Sequence, residues 1–155
     1  MIIQTLLPSP IDDIIIQGSE NGVSYVGFYP SKNYPITALS EVTNTAILCA
    51  AAQLNEYFAK QRTTFTVPLD TQGTDFQQSV WQALLKVPYG ELKTYGDIAK
   101  VLNNPKAVRA VGAANGKNPI SIIVPCHRII GANAKLTGYA GGLARKQWLL
   151  QHETG

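Results

Sequence analysis

Charge, sulfur and imidazole are all scarce in this chain. Only 15% of its 155 residues are charged, and it has two cysteines (Cys49 and Cys126), two histidines (His127 and His152) and one methionine. Two isolated cysteines do not make a disulfide scaffold, so both are expected to be free thiols. Neither has the spacing of a metal-ligand set and the only histidines are His127 and His152, so no metal or other cofactor is expected. No apolar run approaches the ~20 residues of a membrane span. The start "MIIQTLLPSPIDD" carries no basic leader of the kind a secretory signal needs. The expectation is a globular protein of the cytoplasm with no membrane partner.

What charge there is lies unevenly. Residues 1–70 hold three basic side chains against six acidic ones, whereas residues 71–155 hold ten against four. A basic C-terminal half suits a polyanionic partner, although a solvated basic face accounts for it equally well.

Local patterns divide the chain in two. "IIQTLL", "DIIIQG" and "VSYVGFY" are β-rich runs separated by the turn chemistry of "PSP" and "SENG". Apolar residues from Ile47 to Phe58 at helical spacing predict an amphipathic helix over roughly residues 39–60, with Cys49 on it as a structural side chain. "TFTVPLD" would return as a strand, and "TQGT" is the natural boundary. Thr74 with Gln77 and Thr94 with Asp97 each fit a capping box, opening helices over 75–87 and over "YGDIAKVL". Asn104 then caps a third helix with Pro105 at its first position. The last two resemble a helix-turn-helix, but the second helix offers Ala107, Val108, Ala110, Gly112 and Ala113 where a reader of base edges needs long polar side chains. Only Lys106 and Arg109 are long. Small residues permit close backbone approach without a sequence code, or packing against a neighbouring helix.

The remaining signal is "NPISIIVPCHRIIG", residues 118–131, where what reads as a buried strand delivers Cys126, His127 and Arg128. A cysteine attacks as thiolate and needs a base or a positive field beside it. His127 and Arg128 are the right types, but neighbours on an extended strand point to opposite faces, so His127 reaches the sulfur only through a bend or a water. Glu153, near the end of "LARKQWLLQHE", is the natural partner for the imidazole's other nitrogen. From the residues alone the type of reaction stays open.

Read together, "FQQSVWQALLKVPYGELKTYGDIAKVL", "PKAVRAVGAANGKNPISIIVPCHR" and "GYAGGLARKQWLL" closely resemble the O6-alkylguanine-DNA alkyltransferases, from about Leu54 to Glu153. The resemblance implies an α+β chain: a ribonuclease-H-like strand and helix domain over 1–72, then a mainly helical alkyltransferase domain with a helix-turn-helix over 73–155. It implies a monomer that binds double-stranded DNA containing O6-alkylguanine. The alkyl group, or that on O4 of thymine, would pass directly and irreversibly to Cys126. His127 would draw off the thiol proton through a water, Glu153 would orient His127, and Asn118 would brace the turn. Tyr95 would rotate the flanking phosphate and offer a proton to guanine N3. Arg109 would fill the gap left by the extruded base, with Thr94, Tyr95, Ala107, Val108 and Gly112 at the DNA. The carbonyls of Cys126 and Ile129 would face the guanine amine and amides near Tyr139 and Ala140 its O6, in a loop made pliable by Gly138, Gly141 and Gly142. Where certain relatives have a serine this chain has Ala140, which keeps the amide and loses a hydroxyl. The rivals are a Cys-His-Glu hydrolase, which would turn over, a plain helix-turn-helix regulator, which would not need Cys126, and the non-catalytic alkyltransferase-like proteins, which lack the thiol this chain has.

Overall fold

Ile3–Leu7 (β1), Ile14–Ser19 (β2) and Gly22–Gly27 (β3) form an antiparallel sheet in the order β1-β2-β3. The computed structural model describes residues 1–133 and 136–155, which divide into two compact units, Met1–Gln72 and Gly73–Gly155. In the first unit, Ile14, Ile16, Val23 and Val26 of the sheet are buried with Ile47, Ala50, Leu54 and Tyr57 of a helix, Thr45–Phe58 (α1). Gly22, the first residue of β3, has φ 134°, and a side chain there would meet the Pro68 carbonyl at 2.9 Å. Only glycine fits that corner.

Two expectations for this unit need correction. The helix does not run over 39–60: Leu39–Glu41 makes a separate 3-10 turn, Val42 is extended, and α1 starts where the Asn44 side chain accepts the Ile47 amide at 2.9 Å. An asparagine cap stops the helix from extending further back. "TFTVPLD" does not form a strand either. It touches β3 through a single parallel bridge, Val23 with Leu69. Pro68 has no N–H to give, and the Thr66 amide is taken by the Gln53 side chain of α1 at 2.9 Å, so a continuous ladder lacks donors.

The second unit packs three helices, Asp75–Leu84 (α2), Tyr95–Val101 (α3) and Val108–Gly116 (α4), against one another. Both capping boxes are present, Thr74 with Gln77 and Thr94 with Asp97. The α2 helix ends three residues earlier than its pattern suggests, because Lys86 and Val87 bond back three residues to Ala83 and Leu84. Trp81 is buried and donates its indole N–H to the Ala114 carbonyl of α4 at 2.9 Å. The α3–α4 connection turns on Asn103 at φ 56°. Asn104 does not cap α4: its carbonyl accepts the Ala107 amide in a tight turn, so Pro105 and Lys106 lie outside the helix, whose N-cap is Ala107.

Lys93–Thr94 (β4) and Ile129–Ile130 (β5) pair in parallel, Lys93 with Ile129 and Thr94 with Ile130. This short pairing sets the start of α3 beside residues 126–130. The last helix, Leu143–Thr154 (α5), packs on the turn Cys126–Arg128. Among the described residues no helix is long and apolar enough to cross a membrane.

Candidate active site

The segment before Cys126 is not a strand. Residues 120–130 are all buried, yet the chain from Ser121 to Val124 winds through turns, with Ile123 bonding back to Ser121, Val124 to Ile120 and Cys126 to Val124. Ile122 sits at φ 72°, a left-handed conformation that a β-branched residue adopts only when its surroundings impose it. Asn118 supplies much of that constraint. Its amide nitrogen donates to the carbonyls of Ile120 (3.2 Å) and Val124 (2.9 Å), and its oxygen accepts the Ile120 amide at 3.0 Å. A run of β-branched residues therefore packs as a knot rather than a sheet, because one carboxamide substitutes for the missing ladder.

Out of this knot, Cys126–Arg128 emerges as a single 3-10 turn. Cys126 is 3% exposed and His127 fully buried. His127 Nε2 lies 2.6 Å from Glu153 Oε2, while Nδ1 has no partner among the described residues. Arg128 does not serve the thiol: its Nε donates to Glu153 Oε1 at 2.8 Å, Nη2 to Oε2 at 3.1 Å and Nη1 to the Val87 carbonyl at 2.7 Å. The Gly90 amide approaches Oε1 at 3.4 Å. Burial by itself would push the Glu153 carboxyl up, but hydrogen bonds from His127 and Arg128, reinforced by their charges, hold it far below the usual carboxylate range.

The same dry surroundings act on the other groups. Burial pushes the Cys126 thiol up, against the nearby Asn118 amide and the charge of Lys146. Burial also pulls His127 down, and the charges of Arg128 and Lys146 add to that, against the hydrogen bond and charge of Glu153. Burial therefore favours the uncharged form of both the thiol and the imidazole. The Tyr139 hydroxyl is raised well above its ordinary value by burial first, then by Cys126. Ala140 is exposed.

Lys146 is a site residue that the sequence reading missed. It is fully buried on α5 and donates to the carbonyls of Ile129 (2.6 Å) and Thr137 (2.7 Å). Its signal was helical spacing: Lys146, Leu149 and Glu153 share one face, and all three are buried. Thr137 in turn bonds the Tyr95 hydroxyl through its Oγ1 at 2.9 Å, which ties the first residue of α3 to the segment that carries Tyr139 and Ala140. Arg109, Ala110 and Ala113 lie on the exposed side of α4, opposite buried Val111 and Ala114, and Val108 is 40% exposed. Gly112 is half-buried, and a side chain there would meet nothing nearer than a Tyr95 ring carbon at 3.9 Å. Among the described residues no group of three His, Cys, Asp or Glu side chains is disposed to hold a metal.

Comparison with known proteins bears on both units. Residues 75–155 match the DNA-binding domain of 6-O-methylguanine DNA methyltransferase, and residues 2–71 match its ribonuclease-like domain. The chain is 52% identical over 149 residues to a methylated-DNA–protein-cysteine methyltransferase of Methanosarcina acetivorans, covering 96% of each. It is similar to the crystal structure of the Mycobacterium tuberculosis O6-methylguanine methyltransferase, at 46% identity and a TM-score of 0.88 over 99% of this chain and 93% of that one. It is likewise similar to that organism's OGT in complex with DNA, at 46% identity and a TM-score of 0.86 over 97% and 92%. With both domains matched in order and a buried Cys-His-Glu line in the second, the chain belongs to the 6-O-methylguanine DNA methyltransferase family.

Proposed function

We propose that the protein repairs DNA by moving an alkyl group, in the simplest case methyl, from O6 of guanine to the sulfur of Cys126, once per molecule and irreversibly. O4 of alkylated thymine offers the same leaving group. The partner is double-stranded DNA containing the lesion, bound by a monomer in the cytoplasm. The unit 73–155 carries the chemistry and the DNA contacts, and the ribonuclease-like unit 1–72 accompanies it.

The observation that carries this reading is the buried line Cys126–His127–Glu153. With Nε2–H donated to Glu153, the lone pair of the neutral imidazole is on Nδ1, the nitrogen without a partner, where it can receive the thiol proton through a water. The sulfur's electron pair then forms the S–C bond as the C–O6 bond breaks, and the released pair stays on the guanine oxygen. A proton from Tyr95 to guanine N3 makes the base a better leaving group. A thioether has no acyl carbon for water to attack, so the sulfur is not regenerated.

Cys126 is 3% exposed, so no base still stacked in a duplex reaches it; the guanine has to be swung out, at a cost of a few kcal/mol. Exposed Arg109 is suited to fill the space left behind, and Thr94, Ala107, Val108 and Gly112 to lie along the minor groove. Small residues fit there because Gly112 is not required by packing. At the thiol the Cys126 carbonyl accepts the Ile129 amide and the Ile129 carbonyl accepts Lys146, yet each oxygen keeps a second lone pair for the guanine amine. Amides near Tyr139 and Ala140 are the candidates for O6.

The test is to incubate the protein with a duplex containing one O6-methylguanine, digest it, and look for S-methylcysteine by mass spectrometry. The expected result is one methyl group per protein, on residue 126. Product in excess of protein would point to a hydrolase, and an unmodified Cys126 would end the proposal.

A further inference from the structure

His127, Glu153 and Arg128 form one buried cluster, and the chemistry above uses only the first two. We infer that Arg128 is a positioning residue of the alkyl transfer: by engaging both oxygens of Glu153 it leaves His127 uncharged and able to receive the thiol proton. The inference rests on Cys126 as acceptor and His127 as its base.

The need for a third group follows from where the pair sits. An imidazole hydrogen-bonded to a lone carboxylate in a dry interior is drawn toward the imidazolium, because opposite charges attract strongly where water is excluded. An imidazolium carries protons on both nitrogens and has no lone pair to take another. Glu153 alone would orient His127 and at the same time raise the pH below which it carries a charge.

Arg128 resolves this conflict through its geometry. Its fork reaches both carboxylate oxygens, Oε1 at 2.8 Å and Oε2 at 3.1 Å, so Oε2 is shared with His127 rather than given to it. A guanidinium stays charged at any relevant pH. It is also fixed in place, donating to the Val87 carbonyl at 2.7 Å and lying 5.7 Å from the centre of the Tyr89 ring. The charged and titratable groups around His127 are Cys126 and Arg128 from its own turn and Glu153 and Lys146 from α5. Tyr89, from the segment between α2 and β4, acts on Glu153 and Arg128. The charges of Arg128 and Lys146 both oppose a proton on His127, against the single carboxylate of Glu153, and protonating His127 would add a third positive charge to a site that excludes solvent. The neutral base is the balanced state, and Glu153 remains free to orient it.

Two measurements on the full chain test the inference. Nitrogen-15 NMR of His127 in the unaltered protein should show a neutral ring at pH 7. Single-turnover methyl transfer from an O6-methylguanine duplex, followed against pH, should show the acid limb of the rate moving up by about 1–3 pH units in Arg128→Met, with the His127 titration moving alongside it. Arg128→Lys, which keeps the charge and loses the fork, should recover most of that shift. An imidazolium at pH 7 in the unaltered protein overturns the inference, even if Arg128→Met does not fold. So does an Arg128→Met protein that is slowed with its acid limb and His127 titration unmoved, since that is what a merely structural arginine would give. If the unaltered protein transfers no methyl group, the underlying reading has failed instead, and the NMR result still decides the protonation of His127.

Discussion

The Asn118 amide donates to the carbonyl of Val124 at 2.9 Å, a bond across the buried turn on which Cys126 is mounted. The same carboxamide donates to the Ile120 carbonyl and accepts the Ile120 amide; the carbonyls of Ile120 and Val124 also accept the amides of Val124 and Cys126, so it is the Ile120 amide that relies on this side chain.

Asn118→Ala should therefore lower stability by about 1–3 kcal/mol, since it leaves the buried Ile120 amide without its acceptor and removes two further hydrogen bonds. Urea denaturation reads the loss as a lower midpoint. Methyl transfer should fall further than stability accounts for, because the thiol moves with the turn.

Acid should destabilise the protein in two steps. His127 is held below its ordinary value of about 6.5 and Glu153 far below its ordinary value of about 4.3. For both, the unfolded chain binds a proton more readily than the folded one. Their contributions are present in full above the unfolded values and are lost as pH falls toward the folded ones. The melting temperature should decline from just below pH 6.5 and more steeply below pH 4.3. Glu153→Gln should melt lower at pH 7 and lose the steeper decline, and an unchanged acid profile in that variant would count against the pairing.

Lys146→Met keeps the bulk of the side chain but leaves the carbonyls of Ile129 and Thr137 without their donor, at an expected cost of about 2–4 kcal/mol. Amide exchange should speed up around Thr137 and Tyr139 and leave α2 unaffected. Uniform acceleration across the unit would mean that the lysine does not act as a local strut.

Burial holds the Cys126 thiol protonated at neutral pH. Iodoacetamide should modify it more slowly than a free thiol of pKa about 8.5 does at the same pH. Peptide mapping of a time course measures the ratio, and a Cys126 that reacted as fast as the free thiol would contradict the burial.

Exposed Arg109 has no packing role to lose. Arg109→Ala should slow repair of a duplex lesion by about tenfold or more, the order set by a flipping cost of a few kcal/mol, and leave transfer from free O6-methylguanine nearly unchanged. Rate measurements on the two substrates compare the effects directly.

Sequence alone determined whatever depends on neighbours along the chain. Thr74 with Gln77 and Thr94 with Asp97 announced helix starts, because a capping box is closed within four residues. Three β-rich runs announced the sheet, and a thiol beside an imidazole marked a candidate nucleophile while leaving the type of reaction open. Tertiary structure decided the rest. The run "ISIIV" has every local mark of a strand and is a turn, since Asn118 outbids a ladder that no neighbouring chain supplies. Arg128, which adjacency assigns to Cys126, belongs to Glu153, 25 positions away. Lys146 looks like a surface residue of a charged helix, and only the carbonyls brought to it from Ile129 and Thr137 make its burial tolerable. Periodicity reports which face of an element is apolar; it says nothing about which distant polar groups arrive to meet a buried charge, and in this protein those meetings build the site.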